Sequence, residues 1–209
     1  MINGGVNSYL YMLVPHSTTG DSIYRGVPES ELKINFPQTY NWLLYFHDLL
    51  LETRNRSGKF FDEKQYPFYR LDNVGPYTFQ PYRVVWREQN KKMISCVISS
   101  LNTVALGNKT IVTDSKVLFC SFDDEKEAHY LCAVINSPTI AKIIESYTID
   151  TQRGVDILKN IKIPKYNESN KIHKRLSKIS ISAHKAYSVR ENTSDFELEI
   201  DKLVHRLFS

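Results

Sequence analysis

Residues 66–86 read YPFYRLDNVGPYTFQPYRVVW. These twenty-one residues hold six Tyr or Phe side chains, one Trp, three prolines, two arginines and an Asn-Val-Gly turn. A buried strand does not tolerate so many prolines, because each removes a ladder hydrogen bond. A disordered linker does not carry so many rings. The stretch therefore predicts an ordered, irregular surface segment leading into one short strand at 83–86. Aromatic and guanidinium groups held on such a segment suit contact with nucleobases and phosphates. The competing structural reading has the rings plugging the edge of a core.

Upstream, residues 1–35 predict an irregular lead-in with one apolar stretch at 9–14. A helix begins at Pro37, since proline is favoured in the first helical turn. Its apolar stripe is Tyr40, Leu43, Leu44, His47, Leu50 and Leu51, with His47 read as a core histidine. The helix gives way to the polar loop ETRNRSGKFF at 52–61, where Gly58 supplies a turn. Downstream, strands are expected at 83–86, 93–99, 109–112 and 117–122, in a small antiparallel or mixed sheet. Asp124 with Glu127 predicts a helix start, and Ser137-Pro138 a second. A short strand is expected at 161–163, stopped by Pro164. Then Ile172, Leu176, Ile179, Ala183 and Ala186 form a coiled-coil-like seam on a long helix, and Ser194 with Glu197 caps a final amphipathic one. The expected fold is mixed α+β: a domain over 1–165, with helices flanking the small sheet, followed by a C-terminal helical extension over 166–209.

At 209 residues the chain is long enough for one sizeable core. No apolar run approaches the roughly 20 residues of a membrane-spanning helix, and no signal-like start is present. Cys96, Cys120 and Cys132 lack metal-ligand spacing and read as buried reduced thiols, so a cytoplasmic protein is expected. A net charge of +4 permits an anionic partner without demanding one. Its distribution is more informative. Residues 159–190 carry nine Lys or Arg against a single acid, Glu168. Such a run is usually a solvated face, but an excess this large adds weight to a phosphate-facing surface.

The pieces FPQTYNWLLYFHDLLLETRNRSGKFF, the aromatic stretch, LCAVINSPTIAKIIESY, DILKNIKIP and EIDKLVHRLF, in that order and spacing, resemble one family. It is the TaqI-like C-terminal target-recognition domain of adenine-specific DNA methyltransferases and fused restriction–modification enzymes, related to type I specificity subunits. The resemblance spans residues 9–208. It implies a DNA-binding specificity domain that is not itself catalytic. Its partners would be double-stranded DNA and a methyltransferase or restriction catalytic domain, in cis or in trans. S-adenosylmethionine would belong to that catalytic domain, and no cofactor or metal is expected in this chain.

The residues agree with that division of labour. Adenine methylation uses a short Asn/Asp/Ser-Pro-Pro-aromatic loop against the flipped base. The near miss here, Asn73 to Tyr77, has one proline, and Gly4-Gly5 follows no convincing strand. A nuclease reading rests on Asp114-Ser115-Lys116 and lacks a persuasive upstream acid. Candidate DNA contacts are Arg54, Asn55, Arg56 and Lys59 on the loop after the first helix, with Arg and Asn suited to guanine and adenine edges. Arg70, Asn73, Arg83, Arg87, Lys91 and Lys92 extend the set, and Arg153 lies on a separate loop. The alternative function is a protein-interaction or assembly domain that uses the seam on the C-terminal helices.

Overall fold

The structure, a computed structural model, describes residues 10–57, 62, 64–90, 92–113, 116–146, 158 and 160–209, with the side chains of 54–57 excepted. These residues group into two compact units, Leu10–Phe79 and Gln80–Ser209. The division falls inside the aromatic stretch.

The first unit holds four helices: α1 (Ser22–Arg25), α2 (Glu29–Asn35), α3 (Pro37–Tyr45) and α4 (His47–Ser57), followed by a 3-10 turn at Pro76–Thr78. The lead-in expected to be irregular thus contains two helices. Glu29 and Glu31 in the first turn of α2 face the positive end of its dipole. The single helix expected from Pro37 is broken at Phe46, whose backbone leaves the helical region at φ −103° and ψ 12°. The break lets Tyr40 and Leu43 of α3 share a core with Leu32, Phe68 and Tyr69, and Leu50 and Leu51 of α4 pack against it. His47 is not a core residue. Its ring is partly exposed, bonded to Asp48 at 2.9 Å and edge-on to Phe68 at 4.6 Å. His16 is the buried histidine here. Its Nδ1 lies 3.1 Å from the Ile23 carbonyl, and Nε2 accepts from the Leu71 amide at 2.9 Å.

The second unit is built on an antiparallel sheet in the order β2-β1-β5, from β1 (Tyr82–Arg87), β2 (Ser95–Ile98) and β5 (Val117–Phe122). Val84 faces Val97 on one side and Cys120 on the other. Four consecutive residues of the central strand, 83–86, are buried, because both faces of β1 are covered. A separate two-stranded ribbon, β3 (Leu101–Thr103) with β4 (Gly107–Lys109), stands in place of the strand expected at 109–112. No strand forms at 161–163. Ile161 is instead a buried loop residue whose carbonyl accepts from the Ile163 amide at 2.7 Å.

Helix α5 (Glu125–Asn136) starts at Asp124, whose side chain accepts from the Lys126 amide at 2.8 Å. It is the hub of the unit, with Ala128, Tyr130, Cys132, Ala133, Val134 and Ile135 all buried. Helix α6 (Pro138–Ser146) follows at the expected Ser-Pro start. Helix α7 (Lys171–Ser188) is capped by Asn170, which accepts from the Ile172 and His173 amides. Helix α8 (Ser194–Phe208) begins at the residue expected to cap it, so the cap lies one residue earlier: Thr193 takes the N-cap position and its hydroxyl donates to Glu197 at 3.1 Å. Leu176 and Ile179 from the predicted seam join Ile200 and Val204 of α8 in the same core as Val84, Trp86 and α5. The boundary expected at 165/166 therefore lies within this core. The fold is α+β, with small antiparallel sheets and helices packed around them.

Side chains close the outer edge of β2. Asn136 accepts from the Ser95 amide and donates to the Ser95 carbonyl, both at 2.8 Å. His184 Nε2 accepts from the Val97 amide at 3.0 Å, and Glu145 accepts from the Met93 amide at 2.7 Å. An edge so occupied offers no template for a further strand.

Candidate nucleic-acid interface

The aromatic stretch is mostly spent on structure. Phe68, Tyr69 and Trp86 are buried, and the Tyr69 hydroxyl donates to the Val27 carbonyl at 2.8 Å. Tyr66 lies between two guanidinium groups, with Arg70 4.3 Å and Arg25 5.5 Å from its ring centre. Arg70 also donates to the Tyr24 carbonyl and to Asp72, each at 3.0 Å, so it ties this segment to α1. Its geometry is that of a scaffold residue. Asn73 is exposed in a left-handed conformation at φ 55°, and its carbonyl accepts from the Tyr77 hydroxyl.

Arg83 is corrected outright as a DNA contact. Only 1% of it is exposed, its Nη1 donates to the Ile111 carbonyl at 2.7 Å, and its guanidinium lies 5.6 Å from the Phe119 ring centre. Burial lowers its pKa from the ordinary arginine value. It was a candidate because it belongs to the arginine and aromatic set of this stretch, but the central strand is buried from Arg83 to Trp86.

Arg87 and Lys92 are exposed near one end of the sheet, where β1 ends and β2 and β5 begin. There Lys116 meets Glu88 at 3.5 Å. Arg54, Asn55, Arg56 and Ser57 belong to the last turn of α4 rather than to a loop, and their side chains lie outside the described residues, as do Lys59, Lys91 and Arg153. Asp114 and Ser115 of the nuclease half-motif are likewise outside them. Among the described residues, no three His, Cys, Asp or Glu side chains gather as a metal-binding group.

Two exposed surfaces of the second unit remain. Lys171, Lys174, Lys178 and Lys185 line the outer face of α7, a stripe about 21 Å long at 1.5 Å per residue. Beside it Arg175 bonds Glu199 of α8 at 2.7 Å, above a groove of about 380 Å³ lined by Lys178, Ile179, Ser182 and Phe196. The second surface is the β3–β4 ribbon, whose tip residues Val104 and Leu106 are 109% and 52% exposed. The strand expected at 109–112 misplaced it. The signal was present in Gly107, whose φ of 66° is the left-handed turn conformation glycine favours.

The titratable groups of the interior are structural. His129 and His184 meet edge-on at 4.8 Å, and burial pushes the His129 pKa down to about 3. His173 stacks on Tyr130 at 4.6 Å and accepts from the Asn167 amide, and burial lowers its pKa too. The three cysteines are unbridged, and burial pushes Cys96 up to about 11 and Cys132 up to about 12, away from reactive thiolates. Among the described residues no helix is long and apolar enough to cross a membrane.

The chain is similar to the type II methyltransferase M.NspV of Nostoc sp., with 30% identity over 112 residues. The match covers 54% of this chain and 21% of that protein. The chain thus spans about a fifth of the length of the relative it matches. No family model matches. No solved structure matches either. The match and the resemblance seen in the sequence both lie with methyltransferases.

Proposed function

We propose that this chain is the DNA target-recognition part of a restriction–modification adenine methyltransferase. In this reading it does not transfer methyl groups itself, and it works with a catalytic domain, in cis or in trans, that binds S-adenosylmethionine. The observation that carries the reading is the match to a type II methyltransferase over half of this chain but only a fifth of the enzyme. The sequence supports it, because no two prolines are adjacent anywhere in the 209 residues and the methylation loop needs such a pair. The lysine stripe of α7 gives the phosphate-facing surface that a duplex requires. The assembly-domain alternative is less favoured, since Leu176 and Ile179 of its apolar seam pack in the same core as α5 and α8.

Titration of labelled duplex DNA with the 209-residue protein over a salt series tests the reading. Four phosphate contacts correspond to about a hundredfold loss of affinity between about 50 and 200 mM salt. Binding that ignores salt, or no binding at the lowest salt, refutes the DNA reading. Transfer of labelled methyl groups to duplex DNA by this chain alone refutes its non-catalytic half.

A further inference from the structure

We propose that the β3–β4 ribbon enters the major groove of the target duplex and that Asn102 and Asn108 read adenine edges there. The inference rests on the DNA-binding reading above and names the element that supplies specificity.

The ribbon stands apart from the three-stranded sheet, and β4 is exposed along its whole length. Asn102 lies directly opposite Asn108, so both side chains leave the same face. Both are exposed. Asparagine matches adenine through a bidentate pair, accepting from N6 and donating to N7. Opposed residues are about 5 Å apart, between one and two base-pair rises of about 3.4 Å, so the pair can reach neighbouring base pairs. A two-stranded ribbon fits the major groove, which is about 12 Å wide.

The turn is fixed before any partner arrives. Thr103 Oγ1 accepts from the Leu106 amide at 3.2 Å and donates to the Gly107 carbonyl at 3.0 Å. Gly107 supplies the left-handed conformation, at φ 66°. At the root, buried Arg83 grips the Ile111 carbonyl two residues past β4. A desolvated guanidinium holding the return of an otherwise exposed ribbon explains why this strand keeps a charge in its interior. Preorganisation of this kind lowers the entropy lost on docking.

Charge selects the occupant. Residues 89–113 contain three lysines and no Asp or Glu, so a polyanion meets no repulsion along the ribbon. The exposed tip, Val104-Ala105-Leu106, is apolar. The major groove presents one apolar group to such a tip, the C5 methyl of thymine, on the strand opposite an adenine.

The test is selection from a duplex library with a randomised centre, using the 209-residue protein and its Asn102→Ala, Asn108→Ala and doubly substituted variants. Urea unfolding of each variant confirms that the fold is intact, as expected for two exposed side chains. The wild type should enrich A·T-containing sites. The double variant should bind unselected duplexes within about threefold of wild type and lose about tenfold or more of its discrimination at one or two positions. Unchanged preferences in the double variant would overturn the ribbon as reader while leaving the DNA reading standing. Equal loss on every sequence would make the ribbon a phosphate clamp and overturn the proposal. No enrichment by the wild type at any salt would sink the inference and the DNA reading together. A Val104→Asp substitution that converts a wild-type dimer to a monomer in light scattering would assign the tip to a second copy and overturn it as well.

Discussion

Asn136→Ala should open the edge of the sheet. The side chain accepts from the Ser95 amide at 2.8 Å and hydroxyl at 3.1 Å, and donates to the Ser95 carbonyl at 2.8 Å. In effect, one amide replaces a residue of a fourth strand. Truncation strands the amide of a residue only 5% exposed and leaves its carbonyl with only the weak bond from the Cys132 thiol at 3.7 Å. Each buried group left without a partner costs about 1–3 kcal/mol. Asn136 itself is half-buried, so water recovers part of the loss, and the net expectation is about 2–4 kcal/mol. The assay is available in the sequence. The chain has two tryptophans, the buried Trp86 in the second unit and the exposed Trp42 in the first. In a Trp42→Phe background, Trp86 fluorescence follows unfolding of the second unit alone. With a urea slope of about 1–3 kcal/mol per molar, the midpoint should fall by about 1–2 M. Asn136→Asp should cost at least as much near neutral pH, because its second carboxylate oxygen faces the Ser95 carbonyl where an N–H stood. Ser95→Ala, which loses only the hydroxyl bonds, should cost about 1 kcal/mol. Equal effects of Asn136→Ala and Ser95→Ala, or a midpoint shift within error for the first, would refute the edge-closing argument.

The second unit should also be acid-sensitive. His129 ionises at 6.5 in a model peptide and is held near 3 by burial, so the folded state binds fewer protons below pH 6.5. Stability is then lost as pH falls from there, by about 2 kcal/mol at pH 5 from this group alone. His184 adds to the loss, since protonating Nε2 would set a proton against the Val97 amide that it now accepts from. Urea midpoints that stay level from pH 7.5 to 5 would contradict this. Arg83→Met should lower the thermal midpoint and leave sequence-independent DNA affinity unchanged, as measured by unfolding and by titration with random duplex. Gly26→Ala should destabilise the first unit by about 1–3 kcal/mol, because Gly26 sits at φ 82° and an added Cβ would come within 3.3 Å of Pro67, a loss that Trp42 fluorescence should detect. Replacing Lys174 and Lys178 by Gln should weaken binding to all duplexes alike and reduce the salt slope by about 2.

Local rules served where one element dominated its own surroundings. The strand at Val117–Phe122, the Asp124 cap and the Ser137-Pro138 start all followed from adjacent residues. They failed where a distant partner decided the outcome. The α3–α4 break depends on Phe68 and Tyr69 offering a core that one straight helix would not reach, and the heptad-like seam of α7 met α5 and α8 of its own unit, where the sequence suggested a separate helical extension. Arg83 was misread because nothing in 83–86 says that a helix covers one face of β1 and other chain segments the other. The ribbon was misplaced because strands of three residues carry almost no periodic signal. The readout cluster at Arg54, Asn55 and Arg56 was assigned to a loop because the apolar stripe stops at Leu51, yet the polar residues after it continue the helix to Ser57.

The fold sorts its polar side chains into those that hold it together and those that a partner can meet. Arg25 and Arg70 stack on Tyr66, Arg83 roots the ribbon, Arg175 ties α7 to α8, and His184 and Asn136 close the edge of β2. Edge closure has a functional consequence. With that edge occupied, strand addition there is blocked, and under the DNA reading proposed above the contacts fall to side-chain surfaces. Those surfaces are the lysines of α7 and the Asn–Lys ribbon, and they differ in kind. A flexible, strongly hydrated ammonium attracts any phosphate and reads no base, whereas a short amide on a rigid turn is sensitive to one donor–acceptor pattern. Affinity and specificity should therefore separate on mutation: the α7 lysines should set the salt slope and Asn102 with Asn108 the sequence preference. A single substitution that moved both together would mean that the two surfaces act as one clamp.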